Sequence, residues 1–249
     1  MSVLTDLIYG GSNAVAGLTE GAVNEAIAKY GADGMRVAML MSTSAGNDVM
    51  FDEALCEQGR NFCNKIWNAY RLVNMWEVDN AIAQPDYAKE AISWFDEVML
   101  ERIERVHHNM AQYRISEAFT ELYRLFWDDF SGWYLEMVKP AYQCPIDTET
   151  IVRTKHYFDE LLRLLHPFMP FVTEEIWQDL RTENDPISIC IASEPKAERK
   201  ANEQILSRFA LATETITAIR NIRKQKNIAQ KEAVALHYIA DENYPREYE

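Results

Sequence analysis

Cysteine, glycine and proline are all scarce in this 249-residue chain. The four cysteines, Cys56, Cys63, Cys144 and Cys190, form no CxxC pair and have no histidine at zinc-ligand spacing. That argues against a disulfide framework or a structural metal. Nine glycines and eight prolines are too few to punctuate a sandwich of short strands and favour long helices. No stretch approaches the roughly 18 consecutive apolar residues of a membrane helix. The N-terminus lacks the basic and apolar blocks of a secretory signal, so the expected setting is the reducing cytoplasm, with no membrane partner.

Catalytic signatures are missing as well. There is no glycine-rich phosphate loop, no GxSxG, no HExxH and no protease-like Cys/His arrangement. Asp128-Asp129 and Glu174-Glu175 are adjacent carboxylates, but helix neighbours point about 100° apart and share no site. One of each pair should cap or pair while the other is solvated. Glu104-Arg105-Val106-His107 occurs once, whereas a paired-helix carboxylate site needs the motif twice. His107-His108 sits in a charge-rich helical stretch and reads as solvated or partly packed rather than as a ligand set.

What is present is ordinary for a globular protein: 48% hydrophobic and 26% charged residues. The net charge of −14, from 25 basic and 39 acidic residues, argues against a polyanionic partner when taken over the whole chain, and against DNA. The cations are not evenly spread, however.

Residues 1–29 hold clustered glycines and small polar residues with weak periodicity and read as a loosely structured lead-in. Ser12-Asn13-Ala14 in this segment looks like the scar of an expression tag. From Glu25 onward the pattern becomes helical. Between Ala91 and Gln112, Ile92, Phe95, Met99, Ile103, Val106 and Met110 are spaced 3, 4, 4, 3, 4, which predicts one buried stripe. Ile115–Val138 repeats the design with Phe119, Leu122, Phe126, Phe130, Trp133 and Met137, and Lys139-Pro140 ends it. Gln112-Tyr113-Arg114 leaves room only for a tight antiparallel connection. Asp147 should cap a helix running to His166-Pro167, and Thr173 should open the next. Five or so helices of this kind predict a mainly α bundle.

After Pro186 the texture changes. Ile187–Ala192 is β-prone, a helix is expected from about Lys200 to Gln225, and Ala233–Ile239 is β-prone again. Residues 185–249 thus read as a partial β-α-β unit of a longer chain.

Two features rise above this background. In the helix around Arg60–Val73, Phe62, Ile66, Ala69 and Val73 fall on one face, with Asn61, Lys65, Asn68 and Leu72 beside them. Amides that read base edges, a cation for phosphate and an apolar group for packing on a base make this a candidate single-stranded RNA reader. An ordinary polar helix flank is the plain alternative. The second feature is Arg220, Arg223, Lys224, Lys226 and Lys231, with no carboxylate between the first and last. It suits either phosphate binding or a helix C-terminus that attracts cations.

At these residues the sequence resembles the valyl-tRNA synthetases, a family of class I aminoacyl-tRNA synthetases. The matching stretches are Tyr30-Gly31-Ala32-Asp33-Gly34-Met35-Arg36, Ala45-Gly46-Asn47-Asp48, residues 60–69, Phe126-Trp127-Asp128-Asp129-Phe130, residues 133–140, residues 164–171, Thr173-Glu174-Glu175-Ile176-Trp177 and residues 218–224. They run in family order from about residue 30 to 230. The resemblance implies that the helical bundle spans residues 47–184, after a connection at 30–46, and binds the anticodon stem and loop of a valine tRNA, in a parent enzyme that charges tRNA with valine using ATP. Taken with the two features above, the candidate tRNA contacts are Arg60, Asn61, Asn64, Lys65, Asn68, Arg71 and Leu72, and Arg220, Arg223 and Lys224. Lys65 matches the family's anticodon-contacting lysine. Leu72 stands where some members carry a base-stacking aromatic, leaving an apolar contact. The two ATP-binding signatures of class I enzymes are not in this sequence. No cofactor is therefore expected on it, and ATP and magnesium belong to the catalytic part of the parent enzyme. A protein-interaction scaffold without RNA binding is the alternative from another class.

Overall fold

The computed structural model describes residues 20–42, 52–229 and 231–235, which fall into two compact units divided after Lys200. The first unit begins with α1 (Glu20–Tyr30) and α2 (Ala32–Ser42), then α3 (Glu53–Asn74) and α4 (Asp86–Ala111). The chain continues through α5 (Ile115–Arg124), a π-helical segment (Leu125–Tyr134) and α6 (Leu135–Val138). It closes with α7 (Thr148–Leu165), α8 (Pro170–Leu180) and a 3₁₀ turn (Ile189–Ile191). The expected bundle is therefore observed. Helix begins at Glu20, inside the segment expected to be loosely structured; Ala45-Gly46-Asn47-Asp48 lies outside the described residues.

The helices form where local chemistry favours them. Asp52 caps α3 by accepting from the Ala54 N–H at 2.8 Å, and Asp147 caps α7 by accepting from the Thr150 N–H at 2.8 Å, as its position predicts. Tyr113 makes the tight turn after α4 by adopting φ 59°, so that the Arg114 N–H reaches the Asn109 carbonyl at 2.9 Å.

Within the bundle, the later helices depart from expectation in two places. Between Leu125 and Tyr134 the helix widens to π geometry, where the Leu135 N–H reaches the Phe130 carbonyl five residues back. The wider turn rotates the stripe by one position. Phe126 and Phe130 are buried as expected, but Tyr134 and Val138 follow them inward in place of Trp133 and Met137. Second, α8 starts at Pro170 and not at Thr173. Proline suits the first helical position, where its missing N–H is no loss. The Thr173 hydroxyl turns back to donate to the Met169 carbonyl at 2.7 Å.

The core is aromatic. The Phe95 ring lies 4.9 Å from Tyr134 and 4.8 Å from Tyr157, centroid to centroid, joining α4, the π segment and α7. At its rim Arg102 donates to Glu121 at 2.6 Å and to Asp129 at 3.1 Å, fastening α4 to its antiparallel neighbour. Asp128, beside it, is exposed, as the reading of adjacent carboxylates requires.

α2 is seated on two sides. Against α3, the glycines Gly34 and Gly59 meet with no side chain between them; a Cβ on Gly59 would lie 2.5 Å from the Gly34 carbonyl oxygen. Against the α7–α8 corner, the buried Asp33 carboxylate accepts from the Phe171 and Val172 N–H groups at 3.4 and 2.7 Å, capping the start of α8 from another helix. Arg36 donates to the Phe168 and Pro167 carbonyls, both at 3.0 Å.

No strand forms at Ile187–Ala192. Gln178 of α8 takes the first carbonyl of the run, Ile187 O, at 2.8 Å, and Arg181, just past the helix, holds Pro186 O ahead of it at 3.0 Å. Ser188 then caps the 3₁₀ turn, and Ile189 alone of its three residues is buried. Of the second β-prone run, residues 233–235 are irregular and 236–239 lie outside the described residues. The second unit, described by itself, is built on α9 (Glu203–Gln225), whose N-cap Asn202 accepts from the Gln204 N–H at 3.0 Å.

Candidate nucleic-acid interface

α3 presents the face expected of it. Phe62 and Ile66 are fully buried, with Ala69 and Val73 nearly so. On the flank, Asn61, Asn64, Asn68, Arg71 and Leu72 are exposed and Lys65 is half-buried. Leu72 is 40% exposed, a large apolar side chain left in solvent among amides.

Lys65 is held by something periodicity did not reveal. Its Nζ lies 5.4 Å from the centroid of the Trp127 ring, a cation–π contact with the π segment. Trp127 stacks on Tyr123 at 5.5 Å with the rings 11° apart, and Tyr123 packs on Phe62 at 4.6 Å. A column of three aromatic rings thus runs from the core to the surface, where the ammonium sits on its outer ring. Tyr123 and Trp127 were absent from the sequence reading of the site; their i, i+4 spacing on one helix was the signal that could have found them.

Arg60 takes a different direction. Five positions from Lys65 along a helix is about 140° round its axis. Its guanidinium lies 5.5 Å from the Tyr30 ring on α1 and 3.5 Å from Glu57, and its Nε is buried without a hydrogen-bond partner. The structure therefore gathers Asn61, Lys65, Asn68 and Leu72, with Asn64 and Arg71 alongside, and turns Arg60 toward α1.

On the second unit, Arg220 and Lys224 are exposed one turn apart on α9. Arg223 is spent on shape. It donates to the Ala229 carbonyl at 2.8 Å and the Glu232 carbonyl at 2.7 Å, holding the chain that follows the helix. Asn227 at φ 53° completes this end, with the Ile228 N–H on the Arg223 carbonyl at 2.9 Å.

Nothing on the α3 flank supplies acid–base or nucleophilic chemistry. Burial pushes the Cys63 thiol up to about 12, so it stays protonated at neutral pH. All four cysteines are free. The His pair is engaged only at the surface, His107 with Glu194 at 3.2 Å and His108 with Gln112 at 3.1 Å. Three side chains that sequence spacing did not connect, His166, Glu174 and Cys190, do converge elsewhere in this unit. The α3 flank can hold donors, acceptors and a cation in place, which is binding chemistry.

Residues 93–238 match the family model described as the anticodon-binding domain of tRNA ligase. The chain belongs to this family. The chain is 52% identical over 217 residues to a valine–tRNA ligase of Phocaeicola vulgatus, an alignment covering 86% of the chain and 24% of the relative. A valine–tRNA ligase of Bacillus cereus is 37% identical over 219 residues, covering 85% of the chain and 25% of the relative. The chain thus spans about a quarter of the length of these curated relatives. Among solved structures, the LeuRS of Agrobacterium radiobacter K84, in a ternary complex with tRNA and LeuAMS, matches with a TM-score of 0.50 and 15% identity. That match covers 74% of this chain and 21% of the other, and shares the fold. Among the described residues, no helix is long and apolar enough to cross a membrane.

Proposed function

We propose that this chain recognises the anticodon stem and loop of a valine tRNA, as part of a valine–tRNA ligase. Asn61, Asn64, Asn68 and Arg71 on α3 meet base edges and backbone, Leu72 offers an apolar surface to a base, and Lys65 contacts the loop from its seat on Trp127. The observation that carries this reading is the aromatic column under Lys65. It fixes an otherwise flexible cation at the centre of an amide-rich flank, so less rotamer entropy is lost on binding. Arg220 and Lys224 serve the tRNA backbone, and Arg223 shapes the helix end that presents them. Membership of the anticodon-binding family favours RNA over a protein-scaffold role. ATP-driven transfer of valine belongs to the parent enzyme, and no step of it is assigned to these residues.

The test is a gel shift of the purified chain against total tRNA at low and at moderate salt. A shift that weakens with salt is expected, since the local cations bind by displacing counterions from phosphate, while the chain's net charge of −14 keeps the affinity modest. No shift at low salt would favour the scaffold role.

A further inference from the structure

At the corner where α7 meets α8, His166 is held in one tautomer. Its Nδ1 lies 2.8 Å from the Thr173 hydroxyl oxygen, and that hydroxyl gives its single hydrogen to the Met169 carbonyl at 2.7 Å. Thr173 can therefore only accept from the ring, so Nδ1 carries the proton and Nε2 carries the lone pair. Nε2 points at the Cys190 Sγ, 3.0 Å away on the 3₁₀ turn.

Glu174, on the second turn of α8, completes the group. One carboxylate oxygen accepts from Gln178 at 2.5 Å and the other from the Ser188 hydroxyl at 2.8 Å, the Ile189 N–H bonds the same group, and one of its four lone pairs is left for a ligand. Ser188 also accepts from the Cys190 N–H at 3.2 Å, so one hydroxyl positions both the acid and the thiol. The ligand atoms of His166, Glu174 and Cys190 lie within 4.8 Å of one another.

We propose that His166, Glu174 and Cys190 form a binding site for a borderline-soft divalent cation of the zinc type. One imidazole nitrogen, one thiolate and one carboxylate are donors zinc accepts in tetrahedral geometry, and a water fills the fourth position. Magnesium and calcium, which take oxygen ligands, do not suit a thiolate and an imidazole. The Thr173 contact is the kind of outer hydrogen bond that orients a metal-bound histidine. Bond lengths of about 2.0–2.3 Å place tetrahedral ligands about 3.5 Å apart. Binding thus spreads the His166–Cys190 pair by about half an ångström, a movement open to the exposed Cys190 side of the turn. The thiol S–H bond is replaced by a sulfur–metal bond, and its proton leaves to solvent. This site is separate from the α3 flank and does not depend on the RNA reading.

The experiment uses the full chain, stripped with a chelator and titrated with cobalt(II) as the spectroscopic probe for zinc. One ion per chain should bind, with a thiolate-to-cobalt charge-transfer band, visible bands of tetrahedral cobalt, release of one proton and displacement by zinc. Cys190→Ser should abolish the charge-transfer band and weaken binding at least tenfold, while Cys144→Ser, the other exposed cysteine, should leave both unchanged. In the unsubstituted chain, zinc should protect Cys190 from alkylation, which tests the site without any variant. Absence of the charge-transfer band, its survival in Cys190→Ser, or alkylation of Cys190 that zinc does not slow would each overturn the proposal.

Discussion

The α carbon of Gly59 on α3 lies against the carbonyl of Gly34 on α2, at a spacing that leaves no room for a methyl group. Two effects compete when Gly59 becomes alanine. Helix propensity favours alanine by about 1 kcal/mol. A Cβ 2.5 Å from a backbone oxygen forces the helices apart, which in packed interiors costs about 1–3 kcal/mol and falls at the upper end when the obstacle is backbone. Gly59→Ala should therefore lose about 1–2 kcal/mol in urea unfolding, and Gly34→Ala, where the nearest backbone atoms would be 3.2 and 3.3 Å away, should lose less. A Gly59→Ala protein as stable as the unsubstituted chain would show that the two helices do not need this contact.

Tyr113 turns the chain between α4 and α5 in the left-handed region, 87% exposed. A side chain there is strained, and the exposed ring returns little packing energy. Tyr113→Gly should raise stability by about 0.5–1 kcal/mol, measured as a higher urea midpoint with unchanged slope. A loss of stability would mean the tyrosine ring holds the turn by contacts of its own.

Burial pushes the Asp129 carboxyl up to about 6, against the opposing pull of Arg102. In the unfolded chain the same group titrates near 3.9. Between these values the folded state holds a proton that the unfolded state has released. This group's stability term is therefore fully present below about pH 4 and lost as pH rises through 6. The stability of the unsubstituted chain relative to Asp129→Asn should fall by on the order of 3 kcal/mol over that window, since each unit of pKa is worth about 1.4 kcal/mol. Urea melts at pH 4, 5, 6 and 7 check this; parallel pH profiles would contradict it.

Arg223 and Lys224 are neighbours in sequence with different structural duties. Arg223→Met removes two donors from the carbonyls of Ala229 and Glu232 and should speed amide exchange in the last turn of α9 about fivefold, the equivalent of about 1 kcal/mol. Lys224→Ala should leave that exchange unchanged and lower the salt dependence of tRNA binding by about one counterion. Equal effects of both substitutions on exchange and on salt dependence would contradict the division of labour.

Much of the bundle was legible because its information is local. The stripe of α3, the α4 stripe from Phe95 to Val106, the Asp147 cap and the three-residue turn at Tyr113 follow from periodicity and capping chemistry, whereas Met110, expected to end the α4 stripe, is exposed at the fraying end of its helix. The misses have non-local causes. A π segment changes residues per turn, and nothing in the spacing of Phe126 and Phe130 announces that Tyr134 will replace Trp133 in the core. Ile187–Ala192 has strand composition, yet Gln178 on a separate helix takes the Ile187 carbonyl and Ser188 caps a 3₁₀ turn there. At the candidate interface, the polar flank of α3 was readable, but the anchoring of Lys65 depends on Trp127, 62 positions later. Asp33 and Arg36 likewise gain their meaning only when the fold brings the Pro167–Val172 backbone to them.

The central claim is that the α3 flank reads anticodon bases through Lys65, and fluorescence anisotropy with two stem-loops tests it most directly. One loop carries the valine anticodon and the other a scrambled sequence on the same stem. The full chain should bind the first more tightly, and Lys65→Ala should weaken that binding by at least tenfold while changing the scrambled loop far less. Equal losses for the two loops would contradict base reading and reduce Lys65 to a general phosphate contact.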